Sequence, residues 1–532
     1  MVRWNGWGDE NTGMAFPRQG RELLMKWVGE PIPMEDYPLE KLMEKVPESR
    51  LPDHVLVKKD AKTRVFHSHG QSLPDWVGMR LGTIERFPDG VAFPTTVSEV
   101  GEVMEYALKA DAMVIPWGGG TSVAGHLTVP ESARPVLTLS LARLNRLVSL
   151  DPGANLAVFE AGVAGPDLEA QLSAQGFTLG HYPQSFELST LGGWIATRSS
   201  GQQSMHYGRI EALTAGVEML TPRGSWTLPP FPASAAGPDL RQVVLGSEGR
   251  MGIITRATVR VSAKPEKEAF YGACFPSWHS AADALREIAQ KKIPLCMTRL
   301  SNHVETVTNM ALSGHETQTA ILKKYLKIRG IGEEDSCMVL FGVTGTEEMA
   351  GAAHAQAASI LRRHKGVIIG QAMGKAWEKK RFLIPYLRNT LWDAGYVVDT
   401  LETAVTWDRA TTTMRNMEGA IREALASENE RVHVFTHLSH VYPTGTSVYT
   451  SFVFRPGATP SATLARWAKI KKAASEAIVA SGGTISHQHG VGMDHAPYLP
   501  AEKGRVGMEV LGEIVKFMDP DKRMNPGKLI LD

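Results

Sequence analysis

Residues 113–125 read Met-Val-Ile-Pro-Trp-Gly-Gly-Gly-Thr-Ser-Val-Ala-Gly, an apolar run that opens directly into a glycine-rich turn. The run predicts a buried strand, and three consecutive glycines let backbone N–H groups approach a ligand closely. A row of such N–H groups can hold a pyrophosphate. The spacing differs from the Rossmann fingerprint because Val123 stands where the third glycine belongs, and the chain contains no P-loop sequence. This segment alone leaves a nucleotide site and a turn without a ligand equally open.

Strands and helices alternate on both sides of this turn. Apolar residues at helical spacing predict a helix over residues 100–108 with Ser98 as its N-cap. Pro166 predicts the start of a second helix, over 167–174, which ends before Gly176. Further strands are predicted at residues 136–141, 156–160, 252–261, 338–343 and 448–454. This alternation predicts a protein of the α+β or α/β class.

Length and charge exclude several classes of protein. A chain of 532 residues is too long for one typical core, so we expect two or more domains. The 57 Lys and Arg residues nearly balance the 56 Asp and Glu residues, and this net charge of +1 argues against nucleic-acid binding through bulk positive charge. No transmembrane-length apolar run, signal peptide or peroxisomal Ser-Lys-Leu ending is visible, so we expect a cytoplasmic protein. Three widely spaced cysteines, Cys274, Cys296 and Cys337, predict reduced thiols.

Two further glycine-containing segments favour a bound cofactor. Residues 191–208 contain Gly192-Gly193, Gly201 and Gly208, and residues 246–252 read Gly-Ser-Glu-Gly-Arg-Met-Gly ahead of a predicted strand. Small residues let the backbone itself form the wall of a site. Three such segments can surround one flat, elongated cofactor.

The segments Pro116–Val123 and Gly246–Thr255 together resemble the FAD-binding domain of the vanillyl-alcohol-oxidase-type flavoproteins, also called the PCMH type. Within that superfamily the chain resembles the alkyldihydroxyacetonephosphate synthase family, from about residue 4 to about residue 528. The segments that carry this closer resemblance are Trp4–Gly8, Gly180–Glu187, Gly192–Arg198, Glu402–Thr403, Trp407–Arg409 and Ser486–Gly492.

The resemblance implies an α+β fold in which a PCMH-type FAD-binding domain of two α+β subdomains carries an α+β cap domain. We expect an N-terminal extension over residues 1–90, the FAD-binding domain over 91–265, the cap over 266–480, and a C-terminal segment over 481–532 that returns to the flavin. Some members link FAD covalently through a histidine in the glycine turn, where this chain has Thr121 at the neighbouring position, so we expect non-covalent FAD. The resemblance assigns FAD binding to Pro116, Gly118, Gly119, Gly120, Thr121, Ser122, Pro183, Gln184, Ser185, Ser189, Thr190, Gly192, Gly193, Trp194, Ala196, Thr197, Glu248, Gly249, Gly252, Ile253, Ile254 and Arg299.

The resemblance also implies a reaction. In the synthase family, the carbon that bears the acyl group of acyl-dihydroxyacetone phosphate is deprotonated and bonds to flavin N5. The fatty acid then leaves, and a fatty alcohol replaces it to form an ether without net oxidation. The implied partners are these two lipids, with peripheral membrane contact left open, no nucleic acid, and a homodimer. Alternatives are an FAD-dependent dehydrogenase or oxidase of 2-hydroxy acids such as lactate or glycolate, and an FAD-binding scaffold without turnover.

Three residues outside the C-terminal segment match catalytic positions of the family. Tyr449 matches its active-site tyrosine, whose phenol could shuttle a proton if neighbouring cations lower its pKa. Arg388 matches an arginine that would bind phosphate or carboxylate through two hydrogen bonds, although Asn389 stands where the family usually has an acidic residue. His181 matches a histidine just before the flavin-binding segment 183–185, where it could contact the substrate or the ring.

The family's three-histidine stretch is interrupted in this chain. His487 and His489 match its first and third residues, and both are candidate catalytic residues. Gln488, which cannot titrate, replaces the middle histidine. A metal site formed by His487, His489, His495 and Asp494 is an alternative. An alternating histidine pair is only half of a ligand set, however, so no metal is predicted.

Overall fold

The computed structural model describes residues 2–531, in which three large β-sheets define three structural units. The first sheet ends at residue 140, the second unit spans residues 147–263, and the third sheet is built from residues 267–454. Helices accompany each sheet, so the predicted α+β class is confirmed. The helices are α1 (Arg18–Trp27), α2 (Leu39–Met43), α3 (Ala61–Phe66), α4 (Leu73–Leu81), α5 (Val97–Lys109), α6 (Gly165–Ser173), α7 (Leu191–Thr197), α8 (Ser204–Tyr207), α9 (Ile210–Leu213), α10 (Arg241–Val244), α11 (Trp278–Gln290), α12 (His303–Ser313), α13 (Glu316–Ile328), α14 (Glu347–Arg363), α15 (Ala372–Lys380), α16 (Leu387–Asp393), α17 (Trp407–Glu423), α18 (Pro460–Ala480) and α19 (Leu499–Met518).

The glycine-rich turn begins at the carboxyl end of a strand of the first sheet. The four strands are β1 (Val57–Lys58), β2 (Gly90–Ala92), β3 (Met113–Trp117) and β4 (Val136–Ser140). They lie in the order β1-β2-β4-β3, and all pairs except β1–β2 are parallel. The strand predicted before the turn is therefore confirmed as β3. Because β1 lies within the predicted N-terminal extension, part of that extension joins this sheet.

Helix α5 confirms the helical stripe but not its predicted cap. The helix begins at Val97, and the hydroxyl of Thr96 accepts a hydrogen bond of 3.1 Å from the backbone N–H of Glu99. The prediction that Ser98 is the N-cap is therefore wrong. Thr96 has the extended backbone that an N-cap requires, whereas Ser98 already lies in the first helical turn.

The second unit is an antiparallel sheet that places another predicted cofactor segment beside the turn. Its strands are β5 (Leu147–Asp151), β6 (Leu156–Glu160), β8 (Thr214–Thr221), β9 (Gly224–Leu228) and β10 (Ile253–Arg260), in the order β5-β6-β10-β8-β9. A small pair joins β7 (Phe177–Thr178) to β11 (Ser262–Ala263). Helix α6 has Pro166 in its first turn, as predicted. Helix α7 packs on β10, and its buried Trp194 and Ile195 fix the segment that faces the glycine turn.

The third unit is a seven-stranded antiparallel sheet whose two faces have different environments. Its strands are β12 (Lys267–Phe275), β13 (Met297–Ser301), β14 (Cys337–Gly345), β15 (Val367–Gly370), β16 (Val397–Thr406), β17 (His433–Leu438) and β18 (Gly445–Phe454), in the order β15-β12-β14-β13-β17-β18-β16. Helices α11, α14, α17 and α18 cover one face and bury the largest apolar core. Because side chains alternate along a strand, the residues between these core positions point to the opposite face.

Both ends of the chain pack onto this body. Trp7 joins the largest core, and Met524 forms a bridge to Val114 in β3. All three cysteines are buried and free. Among residues 2–531, no helix is both long and apolar enough to cross a membrane. The cytoplasmic location and the homodimer expected from the sequence stay predictions.

Candidate active site

A continuous cavity of about 1280 Å³ lies between the first two units and the uncovered face of the seven-stranded sheet. Its polar end is lined by the glycine turn and by residues 183–197, and its other end by apolar side chains. Pockets for a single drug-sized ligand usually measure about 300–1,000 Å³. The cavity therefore has room for a cofactor together with a second molecule.

The backbone of the glycine turn offers unused hydrogen-bond donors to this cavity. Within residues 2–531, the N–H groups of residues 118–122 donate no hydrogen bond to another protein group. A Cβ atom on Gly119 would lie 1.7 Å from the carbonyl oxygen of Leu188, and Gly120 has a φ of +69°. The turn therefore needs glycine for its own packing, and it leaves a row of N–H groups that fits the pyrophosphate of FAD.

Nearly all residues predicted to bind FAD lie on the cavity wall. The wall includes the predicted residues from Pro116 to Thr197, together with Glu248, Gly249, Gly252, Ile254 and Arg299. Ile253 is the exception, because its fully buried side chain packs in the core of the first unit. Successive residues of β10 point to opposite faces, so Ile254 lines the cavity and Ile253 does not.

His181 lies behind the cavity wall. It is buried, its Nε2 lies 3.2 Å from the hydroxyl of Ser199, and its ring centroid lies 4.8 Å from that of Trp194. Burial lowers the pKa of His181 to about 3, so the ring is neutral. Ser199 and Trp194 both line the cavity, and His181 therefore supports this wall from behind.

The segment with the interrupted histidine stretch is held from two sides, and we call residues 486–492 the clamped loop. The buried carboxylate of Glu402, in β16, accepts hydrogen bonds of 2.9–3.1 Å from the hydroxyl of Ser486 and from the N–H groups of residues 487–489. Glu248, in the second unit, accepts hydrogen bonds from the N–H groups of Val491 and Gly492. Glutamates of two different units thus fix this loop against the cavity.

His487 is committed to hydrogen bonds within the protein. Nη1 of Arg209 and the hydroxyl of Tyr442 each lie 2.6 Å from its Nε2. Because arginine can only donate, we assign Nε2 of His487 as an acceptor. Burial, with His440 and Arg209 nearby, holds the pKa of His487 well below its usual value, so the ring is neutral. Its Nδ1 faces Glu402 at 3.6 Å.

These contacts bear on the alternative of a metal site. Nε2 of His487 is occupied, and Nδ1 of His495 lies 2.8 Å from the carbonyl oxygen of Gly490. In the part of the chain that the structure describes, no group of three or more His, Cys, Asp or Glu side chains is arranged to hold a metal ion. His489, by contrast, lines the cavity.

Tyr449 lines the cavity but has a different acidity from the one expected. Its hydroxyl donates a hydrogen bond of 3.1 Å to the hydroxyl of Thr400. Burial raises the pKa of Tyr449 to about 12, and the nearby carboxylates of Glu402 and Asp399 act in the same direction. The condition for a proton shuttle, a pKa lowered by neighbouring cations, is therefore not met, because burial outweighs the opposing effects of the Thr400 hydrogen bond and of Arg299. The phenol stays protonated, and its one O–H can donate to a ligand in place of Thr400.

Arg388 presents an unpaired nitrogen to the cavity. Its Nη1 donates to the carbonyl oxygen of Gln71 at 2.5 Å, and its guanidinium lies 4.3 Å from the ring centroid of Trp76. Nη2 is buried and has no hydrogen-bond partner among residues 2–531. Burial lowers the pKa of Arg388 to about 10, so the side chain remains cationic at neutral pH. A buried cation with a free donor fits a phosphate or carboxylate group.

Two cavity residues without a matched sequence motif form a cluster with Arg299. The Oε1 atom of Glu305, in α12, lies 2.6 Å from Nη2 of Arg299 and 2.9 Å from Nδ1 of His437. Although burial acts in the opposite direction, Arg299 and His437 lower the pKa of Glu305 to about 2. The His437 ring stacks on Tyr449, with centroids 4.8 Å apart. The signal that could have found His437 is the alternating pattern of β17, His-Val-Phe-Thr-His-Leu, which puts residues 433, 435 and 437 on one face.

The remainder of the cavity suits an alkyl chain. Its walls are apolar side chains from α1, α12, α13, α15 and α16 and from the uncovered face of the seven-stranded sheet. They include Leu24, Leu312, Leu322, Leu340, Met373, Trp377, Leu391, Phe435 and Val453, together with Phe16, which precedes α1. This apolar end is continuous with the polar end where Arg388 and Tyr449 lie.

Comparison with known proteins places the chain among flavoproteins. Residues 88–227 match the model of an FAD binding domain, and residues 264–529 match the C-terminal domain of FAD linked oxidases. The alkyldihydroxyacetonephosphate synthase of Dictyostelium discoideum is 33% identical over 90% of this chain and 79% of its own length. That of Trypanosoma brucei brucei is 30% identical over 99% of this chain and 92% of its own length.

Solved structures give the same result at the level of the fold. A structure of alkyldihydroxyacetonephosphate synthase superposes with a TM-score of 0.84 at 27% identity and covers 99% of this chain and 98% of its own. The structure of p-cresol methylhydroxylase covers 93% of this chain and 97% of its own, with a TM-score of 0.67 at 15% identity. The second match concerns the fold alone, and it confirms the predicted PCMH-type architecture.

Proposed function

Because the chain belongs to the alkyldihydroxyacetonephosphate synthase family of FAD-dependent enzymes, we propose that it exchanges the acyl chain of acyl-dihydroxyacetone phosphate for a fatty alcohol and so forms an ether. The observation that carries this proposal is the continuity of the cavity between the glycine-lined polar end and the apolar end. A lipid chain in the apolar end directs its oxygen-bearing end toward Arg388 and Tyr449. A small 2-hydroxy acid, the alternative substrate, has no alkyl chain that would fill the apolar end.

Different residues of the polar end have different roles in this reaction. Bound FAD, held without a covalent bond, would supply the electron-accepting ring on which the exchange depends. The N–H groups of residues 118–122 would hold its pyrophosphate. Arg388 would bind the phosphate or the departing carboxylate through its free Nη2. Tyr449, as a protonated phenol, would donate a hydrogen bond to the departing carboxylate, and His489, 5.6 Å from it between ring centroids, would complete the wall.

The apolar end is bounded by a helix whose outer face suits a lipid surface. Leu322, in α13, lines the cavity, whereas Ile321, Tyr325 and Ile328 on the same helix are 40–83% exposed. Exposed lysines flank this apolar stripe on α13, and the exposed Lys379 and Lys380 of α15 lie on the cavity wall. An apolar stripe bordered by cations is typical of a helix that lies on an anionic membrane. We therefore propose that lipids enter the cavity beside α13.

The experiment that tests the reaction supplies purified FAD-loaded protein with acyl-dihydroxyacetone phosphate and a long-chain alcohol without oxygen. We expect release of fatty acid and formation of an alkyl ether that contains the alcohol oxygen, in equal amounts. Tyr449→Phe is expected to lower the rate, because the hydrogen bond to the departing carboxylate is lost. A parallel sample receives D-lactate or glycolate. Bleaching of the flavin by a hydroxy acid, with no alcohol-dependent ether, would contradict the proposal and favour the dehydrogenase.

A further inference from the structure

We propose that His437 is the base that accepts the proton of the fatty alcohol in the exchange reaction, held in place for this role by Glu305. The inference rests on the proposed function and assigns one of its proton transfers to a residue outside the motifs that mark the family. The contacts of His437 and its position along the cavity support this role, as do the protonation and hydrogen bonding of the other candidate residues.

The exchange needs a base in one half of the reaction in particular. A departing fatty acid leaves as a carboxylate, which takes the electron pair of the broken C–O bond and requires no proton. A fatty alcohol is a far weaker acid, so its hydroxyl must lose a proton as its oxygen bonds to the same carbon. The two halves therefore differ in their demand for a base.

The residues matched to the family lack the features of this base. Gln488 cannot titrate, and Nε2 of His487 is held by Arg209 and Tyr442. Tyr449 keeps its proton, because burial raises its pKa to about 12. His489 lines the cavity, but its Nδ1 lies 3.7 Å from Glu402, beyond hydrogen-bond distance, so no carboxylate fixes its ring.

His437 has the arrangement of a base that is held in one tautomer. Its Nδ1 lies 2.9 Å from the carboxylate of Glu305 and 3.1 Å from Nη2 of Arg299. Although burial acts in the opposite direction, Arg299 and His437 lower the pKa of Glu305, so its carboxylate is ionised. Because Nη2 of Arg299 donates to the same carboxylate at 2.6 Å, and Glu305 is the closer of the two partners of Nδ1, we assign Nδ1 as a donor to Glu305. An ionised carboxylate accepts the Nδ1 proton, and this leaves a lone pair on Nε2. Nε2 of His437 has no hydrogen-bond partner within residues 2–531. Burial and Arg299 lower the pKa of the ring, so it is neutral and able to accept a proton.

The position of His437 in the sheet brings it to the end of the alkyl channel. Along β17, residues 433, 435 and 437 share the face that lines the cavity. Phe435, together with Val453 on the neighbouring strand, forms apolar wall, and His437 follows two residues further along. A fatty alcohol that fills the apolar end therefore presents its hydroxyl to His437 and to the stacked Tyr449.

The step is balanced without an added oxidant or reductant. The alcohol oxygen forms a bond to the carbon that released the fatty acid, and its O–H bond breaks. Nε2 of His437 takes the alcohol proton and returns it to solvent after the ether leaves, and the carbon regains from solvent the proton that it lost in the first half of the reaction. The alkyl ether and the fatty acid together contain the atoms of the ester and the alcohol.

The test separates the two halves of the reaction in FAD-loaded His437→Gln. Single-turnover release of fatty acid, measured without alcohol, is expected to stay within about threefold of the wild type. Ether formation after addition of hexadecanol is expected to fall about 100-fold or more, the usual loss when a general base is removed. His364→Gln, which alters a histidine paired with Glu287 away from the cavity, is the matched control and should leave both rates unchanged. Retained release also shows that the variant is folded.

Each other outcome has a definite meaning. Ether formation near the wild-type rate in His437→Gln, or an equal loss in both halves, would overturn the inference and leave the proposed function intact. Wild-type protein that forms no ether would contradict both this inference and the proposed function. A second readout does not depend on turnover: nitrogen-15 NMR of labelled histidine should place the proton of His437 on Nδ1, and Glu305→Gln should abolish this preference. A proton on Nε2 in the wild-type protein would also overturn the inference.

Discussion

Arg388 shows how much one buried side chain can contribute to substrate binding. Arg388→Met keeps the aliphatic stem against Trp76 but removes the cation whose Nη2 is unpaired. A hydrogen bond to a charged group contributes about 1.5–3 kcal/mol, so we expect kcat/KM for acyl-dihydroxyacetone phosphate to fall about 10- to 100-fold. The kcat/KM of Arg388→Lys should lie between those of Arg388→Met and the wild type, because lysine keeps the positive charge but lacks the planar guanidinium that forms two parallel hydrogen bonds. Steady-state kinetics measure this effect.

The matched control for Arg388 is an arginine at the surface. Arg86→Met removes an exposed guanidinium that pairs with Glu131, and it should leave kcat/KM unchanged. Equal values for Arg388→Met and the wild type would show that the buried guanidinium does not meet the substrate.

At this scale the sequence predicts positions better than it predicts chemical states. Arg388, Tyr449 and the glycine turn could be located because local motifs carry them. The raised pKa of Tyr449 could not be predicted, because it depends on burial and on the carboxylates of Glu402 and Asp399, which are distant in the sequence. The pairing of His437 with Glu305 joins residues 132 positions apart, and no spacing rule relates them.

The exposed apolar stripe of helix α13 predicts binding to an anionic membrane. The double variant Ile321→Ser with Ile328→Ser should weaken binding to vesicles that contain anionic lipid, because two exposed apolar side chains of the stripe are lost. Co-sedimentation with anionic and neutral vesicles measures this binding, and the wild type should prefer the anionic ones.

The control for this prediction is another exposed apolar pair. Val506 and Val510 lie on α19 and are more than half exposed, but they do not line the cavity. Val506→Ser with Val510→Ser should bind vesicles like the wild type. Equal losses in the two double variants would contradict a specific role of α13.

The helices and strands themselves were largely predictable from apolar periodicity. Strand β6 spans Leu156–Glu160 as predicted, and α6 has Pro166 in its first turn. The N-cap of α5 was placed two residues late, because Thr96 and Ser98 are both good capping residues and only the backbone conformation distinguishes them. The sequence also does not show which face of β10 lines the cavity, so the resemblance assigns both Ile253 and Ile254 to FAD binding although only Ile254 lines the cavity.

For the whole molecule, buried histidines predict a loss of stability in acid. Burial lowers the pKa of His181, His433 and His440 to about 3, whereas an unfolded histidine titrates near 6.5. Their contribution is therefore complete above pH 6.5 and is lost as the pH falls toward 3, since the unfolded chain binds the protons. Each histidine changes the unfolding free energy by about 1.4 kcal/mol per pH unit in this window. The melting temperature should fall steeply below pH 6.

The variant His181→Gln tests the contribution of one histidine to this loss of stability in acid. His181→Gln removes one of the three groups while an amide can still hydrogen-bond to Ser199. Its melting temperature should fall less steeply between pH 6 and 4 than that of the wild type. Identical slopes would show that His181 does not stay neutral in the folded protein.

The clamped loop has a consequence for how the protein is made. Phe16, near the start of the chain, and Asn525, near its end, both line the cavity, and Glu402 and Glu248 can bind residues 486–492 only after that segment is synthesised. During synthesis, the apolar end of the cavity therefore stays open to water until residues 486–492 and Asn525 have left the ribosome. A nascent chain cut short before residue 486 would lack the loop that Glu402 of the third unit and Glu248 of the second unit both bind, and uptake of FAD would identify the chains that extend past this loop.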